Sequence, residues 1–400
     1  MKASWKIVKV GEACELLTGG TPSRQNLEYF GGDIRWLVSG DINQKEILDC
    51  EGRITALGFQ NSNARLLPKN SVMIALAGQG KTRGTVAMLR IEATCNQSMV
   101  CMAPKEPDKL MPEFLYYNLH GRYQEIRRLT GDDGNDRRGL SMGIIYNIEI
   151  PLPPLAEQKR IVALLDEALA GIDAAKAKTE CNVQAATDLL ESRLSELFLR
   201  PKETPSMISD HCTEVTVGYV GPMADKYVPN GIPFLRSQNV RPFEINFDNL
   251  MQITPAFEKS LAKSRLAPGD VVVVRTGYPG TAAVIPTELP MANCADLVIL
   301  RPMKSLDPNY LVAFFNSKVG KDMVLGRLVG AAQKHFNVGA AKSVLLPIPT
   351  IQRQREVVSH ISEIRTHIGK LMDNSESKLS ELSELKASTL AQAFAGELTA

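Results

Sequence analysis

Two long stretches of the chain place an apolar or small residue at alternating steps of three and four positions. The positions are Ile161, Leu165, Ala168, Ile172, Ala175, Thr179, Val183, Ala186 and Leu190, then Val357, Ile361, Ile364, Ile368, Leu371, Ser375, Leu379, Leu382 and Leu385. Such steps over several heptads predict two long helices that pair as a coiled coil. The alternative is an amphipathic helix buried on one domain. A helix of about 45 residues is about 65–70 Å long, which exceeds one domain face.

Each predicted helix follows a proline-rich segment, and the two segments are copies. IPLPPLAEQKRIV at 150–162 recurs as LPIPTIQRQREVV at 346–358, a shift of 196 positions. The shift holds without insertion through both helices, with identical pairs at Pro151/Pro347, Pro153/Pro349, Gln158/Gln354, Val162/Val358, Glu167/Glu363, Ile172/Ile368, Glu180/Glu376, Leu189/Leu385, Leu194/Leu390 and Phe198/Phe394. A constant length is expected of long helices because one inserted residue would rotate every later contact.

The segments that precede the two helices repeat more weakly. The matches are DIRWLVSGDI at 33–42 with NGIPFLRSQNV at 230–240, ARLLPKNSVMI at 64–74 with SRLAPGDVVVV at 264–274, and PEFLYYNL at 112–119 with PNYLVAFF at 308–315. These matches predict an α+β fold, in which two mixed strand/helix domains are separated by two long helices. The predicted boundaries are domain 1 at 1–150, the central helix at 151–203, domain 2 at 204–346 and the distal helix at 347–400.

A glycine-rich loop invites a nucleotide-binding interpretation. GQGKTRGT at 78–85 contains the G-K-T end of a phosphate-binding P-loop, but Ala75 stands where the first glycine belongs. The residues after Thr82 favour a turn and a strand rather than the helix that a P-loop needs. The matching loop RTGYPGT at 275–281 keeps glycines and has no lysine. The shared feature is therefore a tight reversal between strands.

A polar loop stands before each proline-rich segment, at residues 130–142 and 329–342. Arginine pairs well with guanine and glutamine with adenine, and lysine and arginine bind phosphates. The alternative is a pair of solvated loops without a binding role, but different chemistry at two equivalent places favours DNA contact. The predicted DNA contacts are Arg137, Arg138, Gln333, Lys334 and His335 in the polar loops, and Lys81, Arg83, Arg275 and Tyr278 in the glycine-rich loops.

The sequence offers no catalytic centre. DPNY at 307–310 is similar to the loop with which adenine-N6 methyltransferases hold a flipped base, but Asn309 replaces the second proline and no F-x-G-x-G segment precedes it. Its counterpart MPEF at 111–114 predicts a proline-started helix with a buried aromatic residue in both places. No His, Cys or carboxylate group has the spacing of metal ligands, and no Ser-His-Asp arrangement stands out. We therefore expect neither catalytic residues nor a bound metal.

Composition describes an ordinary globular protein. The 400 residues, 44% hydrophobic and 22% charged, exceed one core and predict several domains. Without a long apolar run or a leader-like start, we expect a cytoplasmic protein with no membrane partner. Seven cysteines without a C-x-x-C pair favour reduced thiols. A net charge of +2 means that any basic surface must be local.

The duplicated proline-rich segment, with PLPPLAEQKR at 151–160 and a long helix after each copy, resembles the DNA specificity subunit of a Type I restriction-modification system. GGTPSR at 19–24 and the SGDI and SQNV segments resemble the openings of that family's target-recognition domains. The resemblance covers the whole chain. One departure is Arg353, which stands before Gln354 where the family has an acidic residue.

The resemblance implies a non-catalytic subunit. Each domain would read one half of an asymmetric, split DNA target, and the helices would form an antiparallel coiled coil that sets the unread spacer. The implied partners are double-stranded DNA, two methyltransferase subunits docked on the helices, and restriction/translocase subunits. S-adenosylmethionine, ATP and magnesium would be used by these partners, and this chain would bind no cofactor. The implied partner contacts are Pro153, Leu155, Gln158, Pro349, Ile351 and Gln354.

Three rival interpretations remain at this stage. A recognition subunit of a related methyltransferase-type system would share the same architecture. A fused enzyme would carry methyltransferase catalysis as well, but two domains and two helices leave no room for it in 400 residues. A coiled-coil scaffold that binds only protein would show no sequence-dependent DNA affinity, whereas phosphate contacts make binding fall steeply with salt.

Overall fold

The computed structural model describes residues 5–78, 82–130, 139–199, 203–328 and 335–398. Contacts between residues divide the chain into two units. Unit 1 comprises Met1–Lys178 and Lys378–Ala400, and unit 2 comprises Thr179–Ser377. The division cuts both long helices, so each unit contains one mixed domain and a part of each helix.

The domain of unit 1 combines strands with short helices. Its strands are β1 (Lys6–Lys9), β2 (Cys14–Thr18), β3 (Phe30–Leu37), β4 (Glu46–Ile47), β5 (Arg53–Ile54), β6 (Ser71–Ala75), β7 (Val86–Leu89), β8 (Thr94–Cys95), β9 (Met99–Pro104) and β10 (Glu149–Leu152). Its α-helices are α1 (Val10–Ala13), α2 (Ala56–Gln60), α3 (Pro112–Gly121), α4 (Tyr123–Arg128) and α5 (Met142–Tyr146), with 3-10 turns at Leu27–Tyr29 and Ser39–Asn43. The main sheet has the order β2-β9-β6-β7-β4, and a smaller sheet has the order β5-β3-β8.

The first long helix, α6 (Leu155–Leu199), begins in unit 1 and continues into unit 2. The strands that follow it are β11 (Ser206–Met207), β12 (Cys212–Val217), β13 (Tyr227–Val228), β14 (Ile232–Leu235), β15 (Val240–Arg241), β16 (Glu244–Ile245), β17 (Met251–Ile253), β18 (Arg265–Leu266), β19 (Val271–Val274), β20 (Ala282–Val284), β21 (Ala292–Cys294), β22 (Leu297–Pro302) and β23 (Leu345–Leu346). The helices of the second domain are α7 (Pro255–Ser260), α8 (Pro308–Asn316), α9 (Lys318–Leu325) and α10 (Val338–Lys342), with 3-10 turns at Ile208–His211, Ser237–Asn239 and Ala262–Ser264. The second long helix is α11 (Ile351–Ala395).

The two domains share the arrangement that positions their loops. In unit 1 the fully buried strand β6 pairs antiparallel with β9 and β7. In unit 2 the fully buried strand β19 pairs antiparallel with β22 and β20, in a sheet of order β12-β22-β19-β20. Valines crowd β19 because branched side chains fit a sheet that is covered on both faces. Each glycine-rich loop therefore joins two neighbouring antiparallel strands, which are β6 and β7 in unit 1 and β19 and β20 in unit 2.

Helices α3 and α8 confirm the prediction of proline-started helices at MPEF and DPNY. Pro112 and Pro308 occupy the first helical turn, where a missing N–H costs no hydrogen bond. The aromatic residues that follow, Phe114 and Tyr310, are buried, and the Tyr310 hydroxyl donates to the Pro347 carbonyl at 3.0 Å. DPNY therefore begins a packed helix and does not form an open base-binding loop.

The long helices pack together in antiparallel, as predicted. In unit 1, Lys386 Nζ of α11 lies 2.9 Å from Asp173 Oδ1 of α6. Three residues further along α6, Lys176 Nζ donates to Ser383 Oγ at 2.7 Å. The residue number rises on one helix as it falls on the other, so the two helices run in opposite directions.

Each long helix ends in a phenylalanine that enters a domain core. In unit 1, the Phe394 ring of α11 lies 5.2 Å from the Phe114 ring of α3, centroid to centroid. In unit 2, the Phe198 ring of α6 lies 5.3 Å from Phe314 and 5.5 Å from Tyr310 of α8. Phe198 and Phe394 are an identical pair of the repeat, so the equivalent side chain closes both cores.

We predict that Phe198→Ala destabilises unit 2 by about 3–5 kcal/mol, because the lost ring leaves a cavity in a core that is otherwise filled. The free energy of urea unfolding measures this loss. Phe247→Ala is the matched control, since Phe247 is 49% exposed while Phe198 is 4% exposed. Equal small effects of the two substitutions would show that the helix end does not support the domain.

Candidate nucleic-acid interface

The glycine-rich loops are tight reversals that depend on left-handed glycines. In unit 1, Gly78 and Gly84 have φ of +136° and +82°. In unit 2, Gly277 and Gly280 have φ of +81° and +93°. Side chains disfavour such angles, so these positions require glycine. After Thr82 the chain forms a turn and then β7, not a helix, which agrees with the prediction that GQGKT is no P-loop.

The far end of each polar loop is tied to the start of the glycine-rich loop in its own unit. In unit 1, the Leu140 amide donates to the Leu76 carbonyl at 2.8 Å. In unit 2, the Phe336 amide donates to the Arg275 carbonyl at 3.2 Å. In each unit, the described end of the polar loop therefore lies beside the start of the glycine-rich loop.

The Arg275 side chain joins the two loops of unit 2 by hydrogen bonds. Its Nε donates to the Phe336 carbonyl at 3.0 Å, and its Nη1 donates to Asp296 Oδ1 at 2.8 Å. Thr276 Oγ1 donates to the other Asp296 oxygen at 3.0 Å. The Arg275 side chain is only 11% exposed, so it positions the loops rather than facing outward. Its predicted contact with DNA stays a prediction, and in this conformation the guanidinium is bonded to Asp296 and Phe336.

The other predicted DNA contacts are placed differently from one another. Tyr278 is 81% exposed on its loop, and His335 is half-buried beside Phe336. Arg83 is 8% exposed, so its side chain is directed inward and does not support a direct contact with DNA. The remaining predictions fall outside the described residues, namely Lys81, Arg137, Arg138, Gln333 and Lys334.

The repeated glutamine of each proline-rich segment fixes that segment to its own domain. In unit 1, Gln158 Oε1 accepts from the Met111 amide at 2.8 Å, and its Nε2 donates to the Lys109 and Pro153 carbonyls at 2.7 and 2.9 Å.

In unit 2, Gln354 makes the same three bonds. Its Oε1 accepts from the Asp307 amide at 2.8 Å, and its Nε2 donates to the Ser305 and Pro349 carbonyls at 2.9 and 2.8 Å. Both glutamines are fully buried. Each amide is therefore used inside the chain and holds its segment in place, while the partner contacts of Gln158 and Gln354 stay predictions.

The remaining predicted partner contacts are half-buried or buried. Leu155, Pro349 and Ile351 are half-buried, whereas Pro153 is buried. Their role in binding a partner stays a prediction.

The charges beside the two glutamines are reversed. In the first segment, Glu157 Oε2 pairs with Arg160 Nε at 2.8 Å. In the second, at positions shifted by 196, Arg353 Nη1 pairs with Glu356 Oε2 at 2.9 Å. The departure noticed at Arg353 is thus one half of an exchanged ion pair. The same backbone frame presents opposite polarity in the two units.

Comparison with known proteins agrees with the resemblance seen in the sequence. The sequence profile of the Type I restriction modification DNA specificity domain matches residues 2–180. The EcoBI specificity subunit of Escherichia coli is 24% identical over 329 residues, which cover 75% of this chain and 69% of that subunit. The EcoKI specificity subunit of Escherichia coli K12 is 24% identical over 429 residues, which cover 99% of this chain and 89% of that subunit. The chain is therefore similar to specificity subunits of Type I restriction enzymes over most of its length.

Solved structures show the same fold for this chain. A chain from work on the structural basis of complex assembly and conformational transition of the type I R-M system aligns with a TM-score of 0.81 and 18% identity, covering 100% of this chain and 99% of that one. The HsdS subunit from Thermoanaerobacter tengcongensis aligns with a TM-score of 0.59 and 19% identity, covering 100% and 98%. The predicted fold class and family resemblance are confirmed.

Within its described residues, the chain has no group of three or more His, Cys, Asp or Glu side chains that could hold a metal ion. In the same part of the chain, every helix is too short or too polar to cross a bilayer.

The predicted DNA contacts did not include a set of polar residues on α4. Tyr123 and Arg127 lie four positions apart, so they share one face of the helix. That face adjoins Gly84 of the glycine-rich loop, since a Cβ on this glycine would lie 3.2 Å from Arg127 Cγ. The available signal was the segment YQEIRR at 123–128, which combines an aromatic residue with two arginines close to the polar loop.

Proposed function

We propose that this chain is the sequence-specific DNA-recognition subunit of a Type I restriction-modification complex. The domain predicted at 1–150 reads one half of the target, and the domain predicted at 204–346 reads the other. The observation that carries the proposal is the repeated pairing of a glycine-rich loop with a polar loop. The ties Leu140–Leu76 and Phe336–Arg275 give both units the same frame.

The two frames carry different side chains, which supports an asymmetric target. The polar loop of unit 1 has Arg137 and Arg138 where that of unit 2 has Gln333, Lys334 and His335. Different donors and acceptors select different base edges in the major groove. The helices α6 and α11, predicted as 151–203 and 347–400, set the spacer between the two halves.

The same proposal makes the chain non-catalytic and assigns the chemistry to its partners. Two methyltransferase subunits and restriction/translocase subunits join it on double-stranded DNA in the cytoplasm. S-adenosylmethionine, ATP and magnesium are used by those subunits. Methyl transfer to DNA by the purified chain alone would favour the fused-enzyme alternative. Binding to protein without any sequence-dependent DNA affinity would favour the scaffold.

Sequencing modified adenines in cells that express this chain with its methyltransferase partner tests the proposal. We expect one asymmetric motif of two unlike parts separated by a spacer of fixed length. Replacing Arg137 and Arg138 by Ala should relax only one part, and replacing Lys334 and His335 by Ala should relax only the other, because each loop belongs to one unit. A symmetric motif, or methylation without a motif, would contradict the proposal.

The exchanged ion pair predicts that the two methyltransferase docking sites differ. If equal partners dock on the two proline-rich segments, a charged partner residue meets Glu157 at one site and Arg353 at the other. Exposed charge pairs contribute about 0.2–1 kcal/mol, so the two affinities should differ by up to about fivefold at low salt. Calorimetric titration of the partner into this subunit measures both binding steps.

Reversing the second pair, with Arg353→Glu and Glu356→Arg, should bring the two affinities together. The matched control is Arg193→Glu with Glu196→Arg, since Arg193 and Glu196 form a similar exposed pair 3.0 Å apart on α6. Two equal affinities in the wild type, or a difference that persists after the reversal, would remove the charge pairs from the docking contact.

A further inference from the structure

We propose that a groove in unit 1 binds the phosphate backbone of the DNA beside the first half-site. This inference rests on the proposed function and adds a site to it. The groove has a volume of about 600 Å³ and lies between the end of the glycine-rich loop and α4. Its polar lining residues are Asn43, Thr85, His120, Tyr123, Gln124 and Arg127.

Arg127 is held in place for such a contact. Its Nη1 donates to the Tyr123 hydroxyl at 2.8 Å and to the Arg83 carbonyl at 3.3 Å. The guanidinium carbon lies 5.4 Å from the centre of the Tyr123 ring. A guanidinium forms strong, directed hydrogen bonds with phosphate oxygens. Because its side chain is already ordered, Arg127 loses less conformational entropy when a phosphate binds.

The charges on α4 favour an anion in the groove. Glu125 is bound by Arg122, whose Nε and Nη2 donate to its two carboxylate oxygens at 2.8 and 2.5 Å. That bond lowers the pKa of Glu125 below its usual value and balances its charge. The helix ends with Arg127 and Arg128, and the Arg128 side chain is exposed. The exposed amide of Gln124 adds a neutral donor at the rim.

The groove also lies where DNA would pass. The glycine-rich loop supplies Gly84 and Thr85 to one wall, and α4 supplies the other. Beyond Arg128 the chain leads into the polar loop, whose far end is tied to Leu76 through Leu140. A duplex whose base edges contact both loops therefore brings a sugar-phosphate strand to the groove between the glycine-rich loop and α4.

Unit 2 has different residues at the equivalent place. Gly280 faces Val324 of α9, with 3.5 Å between a Cβ on the glycine and the Val324 Cβ, where Gly84 faces Arg127. Val324 is fully buried. Asn316 accepts from the Ala282 amide at 3.2 Å and donates to its carbonyl at 2.9 Å, so its polar groups are used internally. The proposed phosphate contact is therefore assigned to unit 1, where Arg127 faces the loop glycine in the place that Val324 takes in unit 2.

The experiment measures the salt dependence of DNA binding by the complex of this chain with its methyltransferase partner. The probe is a duplex that contains the target, and the variant is Arg127→Gln with Arg128→Gln. Each lost phosphate contact lowers the slope of log affinity against log salt by about 0.9. We expect the magnitude of the slope to fall by about one to two. We also expect the variant to lose as much affinity for DNA with an altered first half-site as for the target, because phosphate contacts do not depend on sequence. Lys178→Gln with Arg193→Gln, an equal charge change at exposed positions of α6, is the control and should leave the slope unchanged.

A second variant covers the possibility that loss of Arg127 disturbs the fold. Gln124→Glu adds a negative charge at the exposed rim of the groove and should weaken binding several-fold at low salt, with a smaller effect at high salt because charges are screened. Gln60→Glu is its control, since Gln60 ends α2, which packs on β3 and β5 rather than on the groove. The inference would be overturned if both groove variants kept the wild-type salt slope and the wild-type affinity for DNA.

The outcomes separate the groove from the proposed function. A wild-type complex that binds its target no better than other DNA would contradict the proposed function itself. A wild-type complex that is specific and salt-dependent, with groove variants that behave like their controls, would remove only the groove.

Discussion

The fold depends on fixing both ends of each long helix to a domain core. In the first turn of α6, Gln158 is bonded three times inside unit 1, and in its last turn the Phe198 ring packs on α8 in unit 2. In the first turn of α11, Gln354 is bonded inside unit 2, and in its last turn the Phe394 ring packs inside unit 1. One inserted residue turns a helix by about 100°, which would carry each phenylalanine away from its core. This constraint explains why two helices of 45 residues each keep one length while the domains between them differ.

Much of this architecture could be predicted from the sequence because it rests on local or repeated patterns. The heptad steps predicted the paired helices, and the prolines at 112 and 308 predicted helix starts. Comparison of the two glycine-rich loops separated the shared glycines from the unshared Lys81. These patterns report backbone geometry, which nearby residues largely determine.

The direction of single side chains could not be predicted in the same way. Arg275 resembles a DNA contact in sequence, yet its partners are Asp296, which follows two further strands, and Phe336, beyond α9. Gln158 resembles a surface contact in a repeated motif, yet the backbone at Met111 and Lys109 encloses it. The direction of such a side chain depends on segments that are distant in the sequence, and a periodicity along the chain carries no information about those segments. The groove beside α4 was missed for the same reason, because Gly84 and Arg127 meet only in the folded domain.

The central claim is that one chain reads two different half-sites across a length set by its helices. The most direct measurement inserts one heptad into α6 and the matching heptad into α11, and then maps modified adenines in cells with the methyltransferase partner. A heptad keeps the pairing seam and adds about 10 Å, or about three base pairs of DNA. The account predicts unchanged half-sites with a spacer longer by about three base pairs. Unchanged half-sites with an unchanged spacer would contradict it.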